Sequence, residues 1–299
     1  MDPYIVIFGV GVGLLVGLTG VGGGSLMTPL LIIVFGIKPV TAIGTDIAYG
    51  AITKTVGGFK HWRQKTVDLS LSTCMAFGSV PAAIAGVYTI DAIRRASGDS
   101  FDENLMMVVA AAVLLAGTAT LARILFLPSL DSKERESADL TRGNRAAAIA
   151  VGVFVGFILG VTSAGSGALI AVALILIFRL IPHRVVGTDV FHAAILLWAA
   201  GIAHAVAGNI DYGLMGNILV GSIPGIWVGS HLSVRVPTGS LRLALSVVLL
   251  GAGLGLLTKA GVDIPAPVIG AFPAAIATIA AISVTRARRR RLPAVPLSA

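Results

Sequence analysis

A chain of 299 residues that is 56% hydrophobic and only 12% charged, with a mean hydropathy of +0.94, has too little charge to cover a water-soluble surface, where about 25% is usual. Composition excludes a soluble domain and points to an all-α polytopic membrane protein. The net charge of +8 does not make it a nucleic-acid binder, because five basic residues form the tail Arg286, Arg288, Arg289, Arg290 and Arg291, read more simply as the cytoplasmic flank of a last helix.

Met1-Asp2-Pro3 carries no basic n-region and no cleavage-like site follows, so no removable signal peptide is expected. Apolar segments then fall near 4–36, 41–58, 69–93, 104–127, 146–180, 185–207, 212–235, 240–258 and 262–284. The first and fifth are too long for one crossing: about 33 residues of helix run roughly 50 Å against a core of about 30 Å. Both hold a Gly-rich break near the middle, and a half such as 4–18 or 22–36 is about 22 Å long, short of a comfortable crossing. Each is predicted to be a broken or re-entrant helix with its break near the midplane. Between the fourth and fifth segments, 128–145 mixes both signs of charge and reads as a solvated linker. The single cysteine, Cys74, leaves no internal disulfide and no thiolate metal cluster, and no metal or cofactor is expected.

The chain repeats itself. Residues 17–90 align without gaps on 160–233 at an offset of 143, with 22 of 74 positions identical. Apolar helices resemble one another by composition, so the weight rests on the polar and conformational matches. Pro39 meets Pro182, Gly44-Thr45-Asp46 meets Gly187-Thr188-Asp189, His61 meets His204, Asp68 meets Asp211, and Gly78-Ser79-Val80-Pro81 meets Gly221-Ser222-Ile223-Pro224. Two copies of one unit is the plan of many secondary transporters. The loop after segment two carries Lys60, Arg63 and Lys65, and its counterpart 204–211 has no Lys or Arg; Arg179 and Arg184 precede segment six where the first copy has only Lys38. The basic bias swaps sides, so the repeats are expected to be inverted. The expected organisation is a first repeat over 1–127, a cytoplasmic linker over 128–145, a second repeat over 146–258, and a last helix with a basic cytoplasmic tail over 259–299.

Two constellations can carry chemistry. At the breaks, Gly22-Gly23-Gly24-Ser25 and Gly165-Ser166-Gly167 can turn free backbone N–H groups towards an anion at a helix N-terminus, with hydroxyls from Thr19, Ser25, Thr162, Ser163 and Ser166. In an inverted arrangement both helix starts would face one central substrate site. The competing reading is close packing of helices through small residues. The second constellation is Thr45-Asp46 with Tyr49 and Thr188-Asp189 with His192. An intramembrane carboxylate is a functional candidate, and Asp189-x-x-His192 share a helix face and could pass a proton. The competing reading is a first-turn acid favoured by the helix dipole. Lys54 offsets Asp46 or snorkels. Asp68 and Asp211 look like helix caps, His61 and His204 lie near helix ends, and Pro81 and Pro224 are expected to kink their helices.

The run Gly17-Leu18-Thr19-Gly20-Val21-Gly22-Gly23-Gly24-Ser25, the Gly44-Thr45-Asp46 after Pro39, and their echoes at 160–169 and 187–189 resemble the TauE/SafE sulfite exporter family over nearly the whole chain. The resemblance implies a multi-pass transporter of the bacterial inner membrane, built of inverted repeats, that moves sulfite or small organosulfur anions, with export inherited from the family. Many relatives carry a small hydroxyl residue where this chain has Asp46 and Asp189, so it resembles an acidic branch.

The expected function is therefore secondary transport of a small sulfur-containing anion with the bilayer as its setting, not catalysis. A dianion beside two ionised carboxylates would be repelled, so Asp46 or Asp189 is expected to be protonated when the anion is bound, coupling transport to protons. The alternative is a transporter or channel whose carboxylates bind Na⁺ or H⁺ directly. An intramembrane aspartyl protease and a structural scaffold are weaker alternatives: no further protease signature exists, and a scaffold gives no reason for paired Gly breaks.

Overall fold

A proline in the first turn of a helix gives up no helical hydrogen bond and presets φ, so Pro39 and Pro182 are natural helix starts. In the computed structural model, which describes residues 2–19, 24–126, 135–233, 238–265, 267–276 and 278, they open α3 (Pro39–Arg63) and α8 (Pro182–Val206). The other helices are α1 (Pro3–Thr19), α2 (Gly24–Phe35), α4 (Leu69–Ser97), α5 (Phe101–Phe126), α6 (Arg142–Thr162), α7 (Leu169–Leu176), α9 (Tyr212–Ser233) and α10 (Thr238–Lys259), with a short apolar helix over Pro267–Ile276. Among the described residues there is no strand, only an isolated bridge between Arg135 and Leu180. The basic tail lies outside the described residues.

Five helical stretches are long and apolar enough to cross a bilayer: 69–124, α6, α8, and most of α9 and α10. The first is α4 and α5 joined by a single 3-10 turn, Gly98–Ser100, where Gly98 takes a φ of +52°. Phe77 and Val206 are 73% and 77% exposed on these helices, while Asp46, Lys54, Asp189 and His192 are buried. Apolar outside and polar inside is the order that lipid imposes. The chain is a multi-pass, all-α membrane protein.

The overlong segments divide at their breaks. Residues 20–23 between α1 and α2 lie outside the described residues; between α6 and α7 runs an irregular turn with left-handed Ser163 (φ +61°), Gly165 (+126°) and Gly167 (+95°). One half differs from expectation. Thr141 caps α6 by accepting from the Asn144 N–H, so that helix gains residues 142–145 and reaches 21 residues, about 31 Å. It is a full crossing, whereas α7 has only 8 residues.

Glycine stripes decide the packing. A methyl group at Gly13 on α1 would stand 2.3 Å from the Ser222 carbonyl oxygen on α9, and one at Gly156 on α6 would stand 2.3 Å from that of Ser79 on α4. The same pairs recur at Gly17 with Ile226 and Gly160 with Ala83, and at Gly221 with Val6 and Gly78 with Ile149. Each contact maps onto its partner by the 143-residue offset. Backbone therefore meets backbone along α1–α9 and along α4–α6, with residue numbers rising together in both pairs.

Direction follows from such contacts. Gly50 faces Leu197, Gly57 faces Val190 and Gly201 faces Ile47, so the repeat-equivalent helices α3 and α8 run antiparallel. The equivalents α5 and α10 also run antiparallel, since Gly117 meets Leu249 and Gly253 meets Leu114. On α4, Asp68 pairs with Thr188 and Ser72 and Ser79 with His192, which sets α4 parallel to α8. As α6 is parallel to α4, α6 and α8 run the same way, and the stretch through α7 must bring the chain back between them. One face gathers the loop after α3, the linker and the start of α8: Arg184 donates to the Val67 carbonyl, the Ala138 N–H to Asp68, and the Arg135 N–H to the Arg179 carbonyl.

Candidate functional site

Asp46 sits in the third turn of α3, past the first turn, so it does not cap its own helix. Its Oδ2 accepts from the Thr28 N–H at 3.2 Å, the Thr28 hydroxyl at 2.7 Å and the Ser163 hydroxyl at 2.8 Å. The carboxyl thus lies against the N-terminal part of α2, where helix geometry leaves N–H donors to spare, and against the left-handed turn that ends α6. The Thr28 and Ser163 oxygens are also 2.7 Å from each other. Both hydroxyls thus converge on one carboxyl oxygen and on each other. The other carboxyl oxygen, Oδ1, is buried with no hydrogen-bond partner.

Asp189 stands at the repeat-equivalent place in α8, likewise past its first turn, and accepts from the Gly167 N–H at 3.1 Å. Each aspartate is therefore aimed at the second half of the broken segment in its own repeat. Ser166, next to Gly167, is fully buried, and its hydroxyl has no partner; the same holds for the hydroxyl of Ser25, 4% exposed. The α3–α8 contacts put the Asp46 backbone level with about residue 201, about 18 Å along the helix axes from that of Asp189, yet both carboxyl groups reach the same turn after α6, Asp46 at Ser163 and Asp189 at Gly167. Ser163, in the turn after α6, also meets Thr28 near the start of α2. Between the two aspartates, Lys54 is 6% exposed, its Nζ has no hydrogen-bond partner, and it feels the charge of Asp189 and of Asp46.

The remaining residues expected at the site have other partners. The Thr45 hydroxyl accepts from the Asp211 N–H at 3.0 Å and the Thr188 hydroxyl from the Asp68 N–H at 2.9 Å, tying each central helix to the start of a helix in the other repeat. Asp68 and Asp211 cap those starts through the Leu71 and Leu214 N–H groups. His192 places its ring nitrogens 3.5 and 3.2 Å from the Ser72 and Ser79 hydroxyls on α4, so its polar contacts point away from Asp189. His61 contacts Thr66 and His204 contacts Asn209, again repeat-equivalent pairs. Thr162 spends its hydroxyl on the end of its own helix, donating to Ile158 and accepting from Ala164. Tyr49 is buried on α3, Thr19 ends α1 and Gly24 opens α2, while Gly22 and Gly23 lie outside the described residues.

Three residues that sequence reasoning passed over belong here. Thr28 lies one turn beyond the Gly run, and only tertiary structure aims it at Asp46. Arg123 is 8% exposed inside the fourth apolar segment, a signal that was legible as an intramembrane charge. Arg242 lies opposite it on α10 and within its electrostatic reach. Among the described residues no group of His, Cys, Asp and Glu is placed to hold a metal ion.

A polar seam through a membrane-embedded helical bundle, lined by buried charges at breaks in two repeats, is the anatomy of a transporter. Comparison with known proteins agrees. The chain is 41% identical to a protein named Probable membrane transporter protein YjnA from Bacillus subtilis (strain 168), over 86% of this chain and all of that one. It is 28% identical to Probable membrane transporter protein YdhB of the same organism, over 82% of this chain and 96% of the relative. It is 24% identical to Probable membrane transporter protein MJ0441 of Methanocaldococcus jannaschii, over 85% and 95%. No solved structure gives a significant match. The Sulfite exporter TauE/SafE family matches residues 5–256, and the chain belongs to this family of membrane transporters.

Proposed function

We propose that the protein is a secondary transporter that exports a small sulfur-containing anion, sulfite or an organosulfonate, across the bacterial inner membrane, with proton coupling at Asp46 and Asp189. The observation that carries this reading is the pair of buried carboxyl groups lodged where each broken segment offers its spare donors. An oxyanion and a carboxylate compete for such donors, and protonation decides which one holds them. The hydroxyls of Thr28 and Ser163 can donate to the Asp46 carboxylate or accept from the protonated carboxyl. The glycine turns, with Ser25, Ser163 and Ser166 beside them, supply backbone and hydroxyl donors to the cargo.

The antiparallel course of α3 and α8 supports reading 1–127 and 146–258 as inverted repeats. The face that gathers Lys65, Arg135, Arg142, Arg179 and Arg184 would be cytoplasmic by the positive-inside rule, with the linker 128–145 and the basic tail that follows the last helix of 259–299 on the same side. A second reading, a Na⁺ or H⁺ transporter, is favoured by the unpartnered Oδ1 of Asp46.

The test is sulfite flux in proteoliposomes across a pH series, for the wild type, Asp46→Asn and Asp189→Asn. Proton coupling predicts a pH-dependent wild type and loss of that dependence in at least one variant. If both variants keep the wild-type pH profile, coupling through these residues is wrong. A wild type that moves no sulfur oxyanion but binds Na⁺ moves the weight to the second reading.

A further inference from the structure

Around Asp189 the buried charges do not balance. Lys54 comes from α3, Arg123 from α5 and Arg242 from α10. Lys54 and Arg123 both feel Asp189, and Arg123 also feels Arg242. Helix packing places them independently: Gly57 beside Val190 brings Lys54 to within about one turn of the level of Asp189, and Gly117 against Leu249 brings Arg123 opposite Arg242. Lys54 and Arg123 thus lie near Asp189, with Arg242 beyond Arg123; counting Asp46, which Lys54 also feels, three cations face two carboxylates, a surplus of one positive charge. Among the described residues none of the three is in a salt bridge; the only such pairs are exposed ones elsewhere. Lys54 Nζ, Arg123 Nε, Arg242 Nε and the Ser166 hydroxyl are buried without hydrogen-bond partners, and Lys54, Arg123 and Ser166 are more than nine-tenths buried.

Unpaired buried cations and an idle hydroxyl are costly to keep unless something pairs with them. A guanidinium presents its N–H groups in a fork that matches the edge of a tetrahedral or pyramidal oxyanion, while an ammonium acts as a point charge. We propose that a small oxyanion binds between Lys54, Arg123, Arg242 and Ser166, and that Asp189 is the internal counter-ion it displaces. The site sits towards the basic loop face, since α5 runs into the linker and Asp189 is in the third turn of α8.

This deepens the transport reading and rests on its anionic cargo. The experiment is calorimetric binding of sulfite to the full-length protein purified in detergent, for the wild type, Lys54→Gln, Arg123→Gln and Asp189→Asn. Lys54→Arg and Arg123→Lys serve as conservative variants that keep the charge if the neutral ones fail to fold. Each neutral substitution is expected to weaken sulfite binding about tenfold or more, the conservative ones to lose less, and Asp189→Asn to bind about tenfold more tightly because the competitor is gone. A merely structural carboxylate would not tighten anion binding when neutralised. Sulfite binding that is unchanged in Lys54→Gln and Arg123→Gln, or weaker in Asp189→Asn, overturns this site and leaves the transport reading standing. A wild type that binds neither sulfite, thiosulfate nor taurine, yet binds Na⁺, overturns the anionic reading and this site with it.

Discussion

Gly156→Ala adds a single methyl group to α6, at a point 2.3 Å from the Ser79 carbonyl oxygen and 2.6 Å from the Ser79 Cα. Ordinary contact begins at 3.4 Å, so the two helices must part by about 1 Å, and the obstacle is backbone that cannot rotate away. Overpacking of this kind costs about 1–3 kcal/mol, against a helix-propensity gain of up to about 1 kcal/mol for replacing glycine. The net loss of about 1–2 kcal/mol corresponds to a melting temperature lower by several degrees, at about 2–4 °C per kcal/mol for chains near this size. Gly13→Ala should cost the same, because it meets Ser222 at the same 2.3 Å in the repeat-equivalent interface. The two interfaces use different helices, so the double variant should show the sum. Gly11→Ala, on the same helix as Gly13 but with nothing within 4 Å, should gain stability or stay level. The assay is thermal unfolding in one detergent, followed by fluorescence-detected size exclusion. A Gly156→Ala protein that melts at or above the temperature of Gly11→Ala would refute the close-packing account.

The remaining predictions address the polar interior. Thr188→Val strands the buried Asp68 N–H and should destabilise by about 1–3 kcal/mol in the same unfolding assay; Thr45→Val should cost less, because the Asp211 N–H it frees is only part-buried, and an equal or larger loss in Thr45→Val would contradict this. A double-mutant cycle of Thr28→Val and Ser163→Ala should show coupling of about 0.5–3 kcal/mol, since both hydroxyls meet the same Asp46 oxygen and each other; strict additivity would break the three-oxygen cluster. Asp68→Ala should cost about 0.5–2 kcal/mol for the lost cap of α4, and more than Asp211→Ala because Asp68 also holds the Ala138 N–H; equal losses would show that the second bond contributes nothing.

Hydropathy, segment length and the 143-residue echo are properties of the chain itself, and they determined class, repeat and break positions. Membrane burial follows from composition, because lipid tolerates only satisfied backbone and apolar surface. The break motifs were legible for the same reason: glycine at Gly165 and Gly167 permits positive φ that other residues resist. The caps at Asp68 and Asp211 were legible because a cap acts within three residues. What the sequence left open were contacts made across long separations. Thr28 reaches Asp46, Ser163 joins them from the other repeat, and Thr45 turns to Asp211 instead of towards the carboxyl beside it. The glycines of α1, α4, α6 and α9 read in sequence as helix-weakening residues; only their pairing shows them as the surface on which the repeats lock together. The antiparallel course of α3 and α8 then separates the backbones of Asp46 and Asp189 and leaves Lys54 between them, because equivalent residues in oppositely running helices coincide only at the centre of the pair, while the turn after α6 meets both carboxyl groups.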